Sequence, residues 1–408
     1  MLKIKAPLKI NSDMSKIEQA YDKLRARKDI GFMNLPSNKN ALKDSIAVAK
    51  QLEHFKHLVL VGIGGSSMGP RALAEIAGSR KISFLDNVDA IETERVIKNL
   101  DDLSKTAWLM ISKSGTTIEV LWTLELIEQV YENANLDLWP NTFFITELTD
   151  NPLKNLSVKH NRPCLEIPLD VGGRFSVLSP VGLLVAEYLK LSAAEILSGA
   201  SAALDSKNEV IESVAQYLAS FERREDITLF WFYCSNMRWF GGWVQQLWAE
   251  SLGKKFTVKK ELAPAFSSPM ISIGTCDQHS ILQQVIEGPK NKFVNFFRFK
   301  NVEKSQFRIF KSQYAETKIL EGLNYGELIK AEAIATEQAL RESGISTMVF
   351  EVEAMDAKNI GFLFMFYQLV VATLGEHAHI NAFDQPGVTL SKKLTLDYLR
   401  QTDRTSQS

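Results

Sequence analysis

Short runs of β-branched and aromatic residues recur along the chain, each ended by glycine or hydroxyl-bearing residues and followed by apolar positions at helical spacing. HLVLVGIGG from His57 runs into SSMGPRALAEIAG, and KISFLDN, TAWLMISKSGTTIEVLWTLELIEQ and NTFFITE continue the style. Such runs, closed by turn formers, read as buried strands, and the 3.6-residue period after them reads as helix. The alternation predicts an α/β fold, a doubly wound parallel sheet with helices on both faces. It breaks at EIPLDVGGRFSVLSPVGLLVAEYL, a glycine-rich turn leading to an apolar helix. The pattern restarts, after a polar helical connection, at ITLFWFYCSNMRWFGGWVQQLWAESLG. NKFVNFFRFKN and TMVFEVE then read as strands, with GELIKAEAIATEQALRESG between them as a helix ended by Gly344.

The expected organisation is N-terminal helices over 1–50, a first α/β domain over 51–195, a second over 196–390, and a polar helical tail over 391–408 able to pack on another part of the molecule. At 408 residues and 45% hydrophobic content the chain can bury two sizeable cores. The apolar run GFLFMFYQLVVATLG from Gly361 is short for a membrane span and reads as a buried helix. With 47 basic and 48 acidic residues, no overall field favours nucleic acid or an anionic membrane surface. Any anion must be held locally. Cys164, Cys234 and Cys276 are odd in number and widely spaced, which suits a reducing, cytoplasmic setting.

Two strand-to-helix turns are candidate anion sites, because backbone N–H groups and the helix dipole converge there. VGIGGSSMGP contains Gly65 and Ser66. It lacks the Lys-Ser or Lys-Thr pair of a Walker loop, and it misses the last glycine of the dinucleotide fingerprint at Ser67, although Asp86 could serve as the ribose-binding acid. A nicotinamide enzyme and a plain tight turn both stay open there. ISKSGTTIEV offers Ser112, Lys113, Ser114, Thr116 and Thr117 ahead of a helix. Its hydroxyls exceed what one N-cap needs and suit a phosphate bound without net charge.

Further along, DVGGRFS sets Arg174 after Gly173, where it could stabilise an oxyanion, or merely pair with a surface carboxylate. Gln246 and Glu250 share a helical face near Trp239, Trp243, Leu247 and Trp248; a carboxylate in such company suits a general base, the alternative being a surface glutamate. His279, in GTCDQHS before a helix, suits acid/base work or a structural role. EHAH, from Glu376, is too poor in ligands to read as a metal site. Gln385, Lys392 and Lys393 flank a Pro-Gly turn in FDQPGVTLSKK.

GIGGSSMGP, SKSGTT, DVGGRFSVLSPVGL, QQLWAESLGKK, GTCDQHS and FDQPGV, in this order from about residue 60 to 392, resemble the sequence blocks of the glucose-6-phosphate isomerase family, which has two α/β domains of the sugar isomerase (SIS) type. The resemblance implies reversible conversion of glucose 6-phosphate to fructose 6-phosphate through ring opening and a cis-enediol, with no cofactor or metal. It implies Glu250 as the proton-moving base and Arg174 as the enediolate stabiliser. His279 and Lys392 would assist ring opening, Gln246 and Gln385 would hold sugar hydroxyls, and Ser112, Ser114 and Thr117 would bind the phosphate. Lys113, Gly65, Ser66 and Gly173 would line the pocket. A homodimer is also implied, with His279 serving the partner's site. The chain departs from the family pattern at Ser114, at Leu252 (ESLGK for ESNGK) and at Thr389, where a glutamate is common. A sibling isomerase that also takes mannose 6-phosphate, and a non-catalytic sugar-phosphate sensor on the same fold, are the alternatives.

Overall fold

Ahead of the first strand-helix unit the chain forms a short strand, β1 (Leu2–Lys5), and two helices, α1 (Met14–Ala26) and α2 (Lys39–Leu52). Each helix starts where a side chain can satisfy its open N–H groups: Asp13 accepts from Ser15 N and Asn38 from Ala41 N. These contacts come from a computed structural model, which describes residues 2–5, 8, 13–301 and 305–405.

The first sheet is built from β2 (His57–Val61), β3 (Ile82–Leu85), β4 (Thr106–Ile111), β5 (Thr142–Thr146) and β6 (Cys164–Glu166), with α3 (Gly65–Ala77), α4 (Ala90–Lys98), α5 (Ile118–Asn133) and α6 (Pro152–Lys159) between consecutive strands and α7 (Pro180–Tyr188) after the last. All its pairings are parallel, in the order β3-β2-β4-β5-β6. The strand order therefore reverses between β2 and β4. Apolar cores cover both faces, one under α2 and α7 and one under α5, which is why β4 is buried at every position.

The segment read as one polar connection is two helices, α8 (Ala193–Leu204) and α9 (Lys207–Glu222). The second sheet follows with β7 (Ile227–Phe232), α10 (Arg238–Leu252), β8 (Ser268–Ile273), α11 (Leu282–Glu287), β9 (Lys292–Phe299), α12 (Tyr325–Glu342), β10 (Ser346–Val352) and α13 (Ala357–His377). Its order is β1-β10-β9-β7-β8. The four strands β7 to β10 are parallel and repeat the arrangement of the first sheet, while β1 takes the fifth place antiparallel to β10. The N-terminal segment, expected to be helical, thus also supplies an edge strand. Among the described residues, α13 is the one helix long and apolar enough to cross a membrane, and 94% of that stretch is buried in the fold.

One large apolar core joins the two halves. It takes Leu73 and Ile76 of α3, Phe175 and Leu178 after β6, Trp243 and Leu247 of α10, and the phenylalanines of α13. This core sets α3, which leaves β2, against α10, which leaves β7. The tail helix α14 (Thr389–Thr405) behaves differently: Leu390, Leu394, Tyr398 and Leu399 are exposed.

Candidate active site

A cleft of about 530 Å³ opens at the carboxyl ends of β2 and β4, where the strand order reverses. That is the place in a doubly wound sheet where the loops diverge and leave room for a ligand. Its lining contains every residue expected at the site except Ser112 and His279: Gly65, Ser66, Lys113, Ser114, Thr117, Gly173, Arg174, Gln246, Glu250, Gln385 and Lys392. The sequence reading passed over Ile63, Gly64, Glu119, Glu147 and Val388, which also line it. Glu147 was discoverable, since it ends the run NTFFITE at the carboxyl end of the strand beside β4.

The turn after β2 fixes the floor. A Cβ on Gly65 would sit 2.2 Å from the Gly173 backbone and 2.6 Å from Arg174 N, so the two loops touch main chain to main chain. Glycine permits this approach. Ser67, where a dinucleotide loop needs glycine, is fully buried. Asp86 is held by Arg71, Nε to Oδ2 at 2.5 Å and Nη2 to Oδ1 at 2.7 Å, and the Arg71 guanidinium stacks 4.5 Å from the rings of Phe84 and Trp239. The acid that could have read a ribose is therefore committed to an ion pair inside the fold.

The turn after β4 presents hydroxyls. Gly115 has φ 65°, and Asn151 Oδ1 lies 1.8 Å from where its Cβ would be. The same Asn151 donates to Glu147 O at 2.9 Å, and Glu147 N donates to Lys113 O at 3.0 Å, which pins the turn to the end of β5. Thr117 stands at the N-cap of α5 but makes no side-chain capping bond. Its hydroxyl pairs with Ser112 Oγ at 2.7 Å instead. Capping does not explain these hydroxyls, and the start of α5 faces the cleft with Ser114 and Thr117 on its lining. Ser112 is 2% exposed, lies beneath the cradle with its hydroxyl on that of Thr117, and does not itself line the cleft. Lys113 Nζ is occupied at the rim, 3.1 Å from Leu169 O and 3.4 Å from Glu147 Oε1.

The opposite wall is charged. Arg174 is 2% exposed, and each of its five N–H donors has a place. Nε donates to Ser251 Oγ at 2.7 Å; Nη2 donates to Ala382 O at 2.5 Å and Asp384 O at 3.0 Å; Nη1 donates to Gln385 Oε1 at 2.6 Å and Glu250 Oε2 at 3.3 Å. Burial pulls the guanidinium's pKa below its usual value, while Glu250 and Asp384 pull it back. Glu250, on the last turn of α10, also accepts from Gln246 Nε2 at 3.1 Å. Gln246 Oε1 is buried with no protein partner among the described residues, an acceptor available to a hydroxyl-bearing ligand.

The surroundings of Glu250 differ from the sequence expectation. Trp243, Leu247 and Trp248 are buried in the core, whereas the Glu250 side chain is 31% exposed toward the cleft. Trp248, two residues from Glu250, lies on another face of α10, while Trp243, seven residues back on the same face, sits two turns deeper in the core and leaves the carboxylate at the open end of the helix. His279 lies exposed on a short turn, Cys276–His279, between β8 and α11, outside the cleft of its own chain. Lys392, one turn into α14, reaches the lining although Thr389 carries no carboxylate, and Leu252 is a core residue.

A model of the family described as phosphoglucose isomerase matches residues 43–408. The chain belongs to that family. It is 32% identical to a glucose-6-phosphate isomerase of Campylobacter jejuni over 91% of this chain and 92% of the other. With one of Methanocaldococcus jannaschii it shares 30% identity, over 95% and 96%. Among solved structures, a hypothetical protein from Thermus thermophilus superposes with a TM-score of 0.90 at 29% identity, covering 98% of this chain and 100% of that one. A glucose-6-phosphate isomerase from Chlamydia trachomatis, at 20% identity, shares the fold with a TM-score of 0.82 over 98% and 89%. The two-sheet architecture is thus that of the phosphoglucose isomerase family and of SIS-type isomerase structures.

Proposed function

We propose that this chain interconverts glucose 6-phosphate and fructose 6-phosphate by proton transfer through a cis-enediol. The observation that carries the reading is the pairing of Glu250 with buried Arg174, 3.3 Å apart, across one cleft from a hydroxyl cradle. Proton abstraction beside a carbonyl needs a base, a stabiliser for the oxygen that gains charge, and a remote handle for orientation. Gly65, Ser66, Ser114 and Thr117 form the handle for the phosphate, with Ser112 behind them. Gln246 and Gln385 hold sugar hydroxyls.

Glu250 takes the proton from the carbon next to the open-chain carbonyl. The C–H electron pair moves into a new C=C bond, and the carbonyl oxygen becomes the enediolate oxygen. Glu250 then returns the proton to the neighbouring carbon. Since the Nη1 donors of Arg174 are taken up by Gln385 and Glu250, an enediolate oxygen gains one when either side chain turns to the substrate. Lys392 and the partner subunit's copy of His279 assist ring opening in a homodimer. The three free cysteines support a cytoplasmic setting.

A coupled assay with glucose 6-phosphate, fructose 6-phosphate and mannose 6-phosphate, without added cofactor or metal, tests this reading. Turnover of the first two is expected, and comparable turnover of the third would make the enzyme bifunctional. Binding of all three without turnover would leave a sensor, and dependence on a nicotinamide would restore the oxidoreductase alternative.

A further inference from the structure

Lys254 follows the helix that carries Glu250, yet its side chain is only 6% exposed and does not line the cleft. An ammonium this buried needs acceptors for all three N–H groups. It has three: Glu250 O at 2.7 Å, Asp384 O, and Asp384 Oδ1 at 3.2 Å. The first belongs to the last turn of α10, where the helix dipole favours a cation. The other two belong to the residue before Gln385. Arg174 joins the same two segments, through Ser251 on one side and through Ala382 O and Asp384 O on the other. Two cations thus converge on one carbonyl, that of Asp384. Burial lowers the pKa of Lys254, and Asp384 opposes that shift.

The charges of this group change during the proposed reaction. At rest, Arg174 and Lys254 balance the carboxylates of Glu250 and Asp384. Once Glu250 holds the substrate proton, a single net positive charge is left in this group behind the cleft wall. Without Lys254 the same step would leave none.

We propose that Lys254 is a positioning residue for the isomerisation: it clamps the Glu250 turn to the Gln385 loop and supplies the positive charge left over when the enediolate forms. This rests on the isomerase reading above. Lys254→Met is expected to lower kcat about 10- to 100-fold while KM changes less than about threefold, as for an interaction that matters more in the transition state than in the ground state. Charge bookkeeping adds a sharper outcome, because Lys254→Met combined with Asp384→Asn restores the resting balance. The double variant should recover at least about threefold in kcat over Lys254→Met alone, whereas a purely structural clamp predicts equal or lower activity. No recovery, or a loss confined to KM, overturns the proposal while leaving the isomerase reading intact. A wild-type protein without isomerase turnover overturns both. If Lys254→Met does not fold by circular dichroism, Lys254→Gln, alone and combined with Asp384→Asn, is read in its place with the same expected loss and recovery, and absence of the recovery overturns the proposal.

Discussion

The two sheets carry their parallel strands in the same order, yet they treat the point of reversal differently. In the first, the turns after β2 and β4 are rich in glycines and hydroxyl-bearing residues, with Ile63 and Lys113 among them, and a cleft lies between them. In the second, the loops after β7, β9 and β10 bond to one another: Cys234 Sγ meets Met355 Sδ at 3.4 Å, and Met355 N donates to Asn301 Oδ1 at 2.9 Å. The second half contributes to the site instead through the far end of α10, which brings Glu250 to the mouth of the first sheet. One topology therefore serves as a binding floor in one copy and as a scaffold for charge in the other. On the proposed reading, the division separates two jobs, a hydroxyl-lined grip on the phosphate, edged by Lys113, Glu119 and Glu147, and an Arg174–Glu250 wall for the proton transfer.

Substitutions on the two walls should separate in kinetics. The largest effect in this group is expected for Arg174→Lys on the charged wall. Lysine has three donors for five acceptors, so kcat should fall about 100- to 1000-fold, with a lower Tm as the Ala382 and Asp384 carbonyls lose partners. A change in KM alone, read from steady-state kinetics, would place Arg174 in the grip instead. On the hydroxyl-lined wall, Thr117→Val keeps shape and removes the hydroxyl shared with Ser112. Its KM for fructose 6-phosphate should rise about tenfold, with kcat within about threefold of wild type. A fall in kcat of the same size would blur the division. Gly65→Ala should act mainly on stability, since the new methyl meets rigid backbone: about 1–3 kcal/mol is expected, seen as a lower Tm in thermal unfolding. An unchanged Tm would mean that the Gly65–Gly173 contact relaxes at no cost.

Much of this arrangement was legible in the sequence wherever one local signal sufficed. β2, β4 and β5 are continuous apolar runs buried on both faces, and their turns advertise themselves by glycine and hydroxyl content. β6, three residues long, and β8, which contains Pro269, carry too little pattern to stand out. β1 owes its strand conformation to β10, some 350 positions away, and no local signal reports that. The same limit applies within the site. The residue types were readable block by block, but the burial of Ser112, the Arg71–Asp86 pair and the convergence of Arg174 and Lys254 on Asp384 O depend on tertiary packing.

The central claim is that Glu250 moves the proton while the hydroxyl-lined wall holds the phosphate, and Glu250→Gln followed in D2O tests it most directly. Wild-type protein should carry solvent deuterium into the sugar at the carbons beside the carbonyl as it isomerises. The variant should bind fructose 6-phosphate within about threefold of the wild-type Kd, yet lose both exchange and isomerisation by at least about a thousandfold. Exchange and turnover near the wild-type rate in Glu250→Gln would contradict the account.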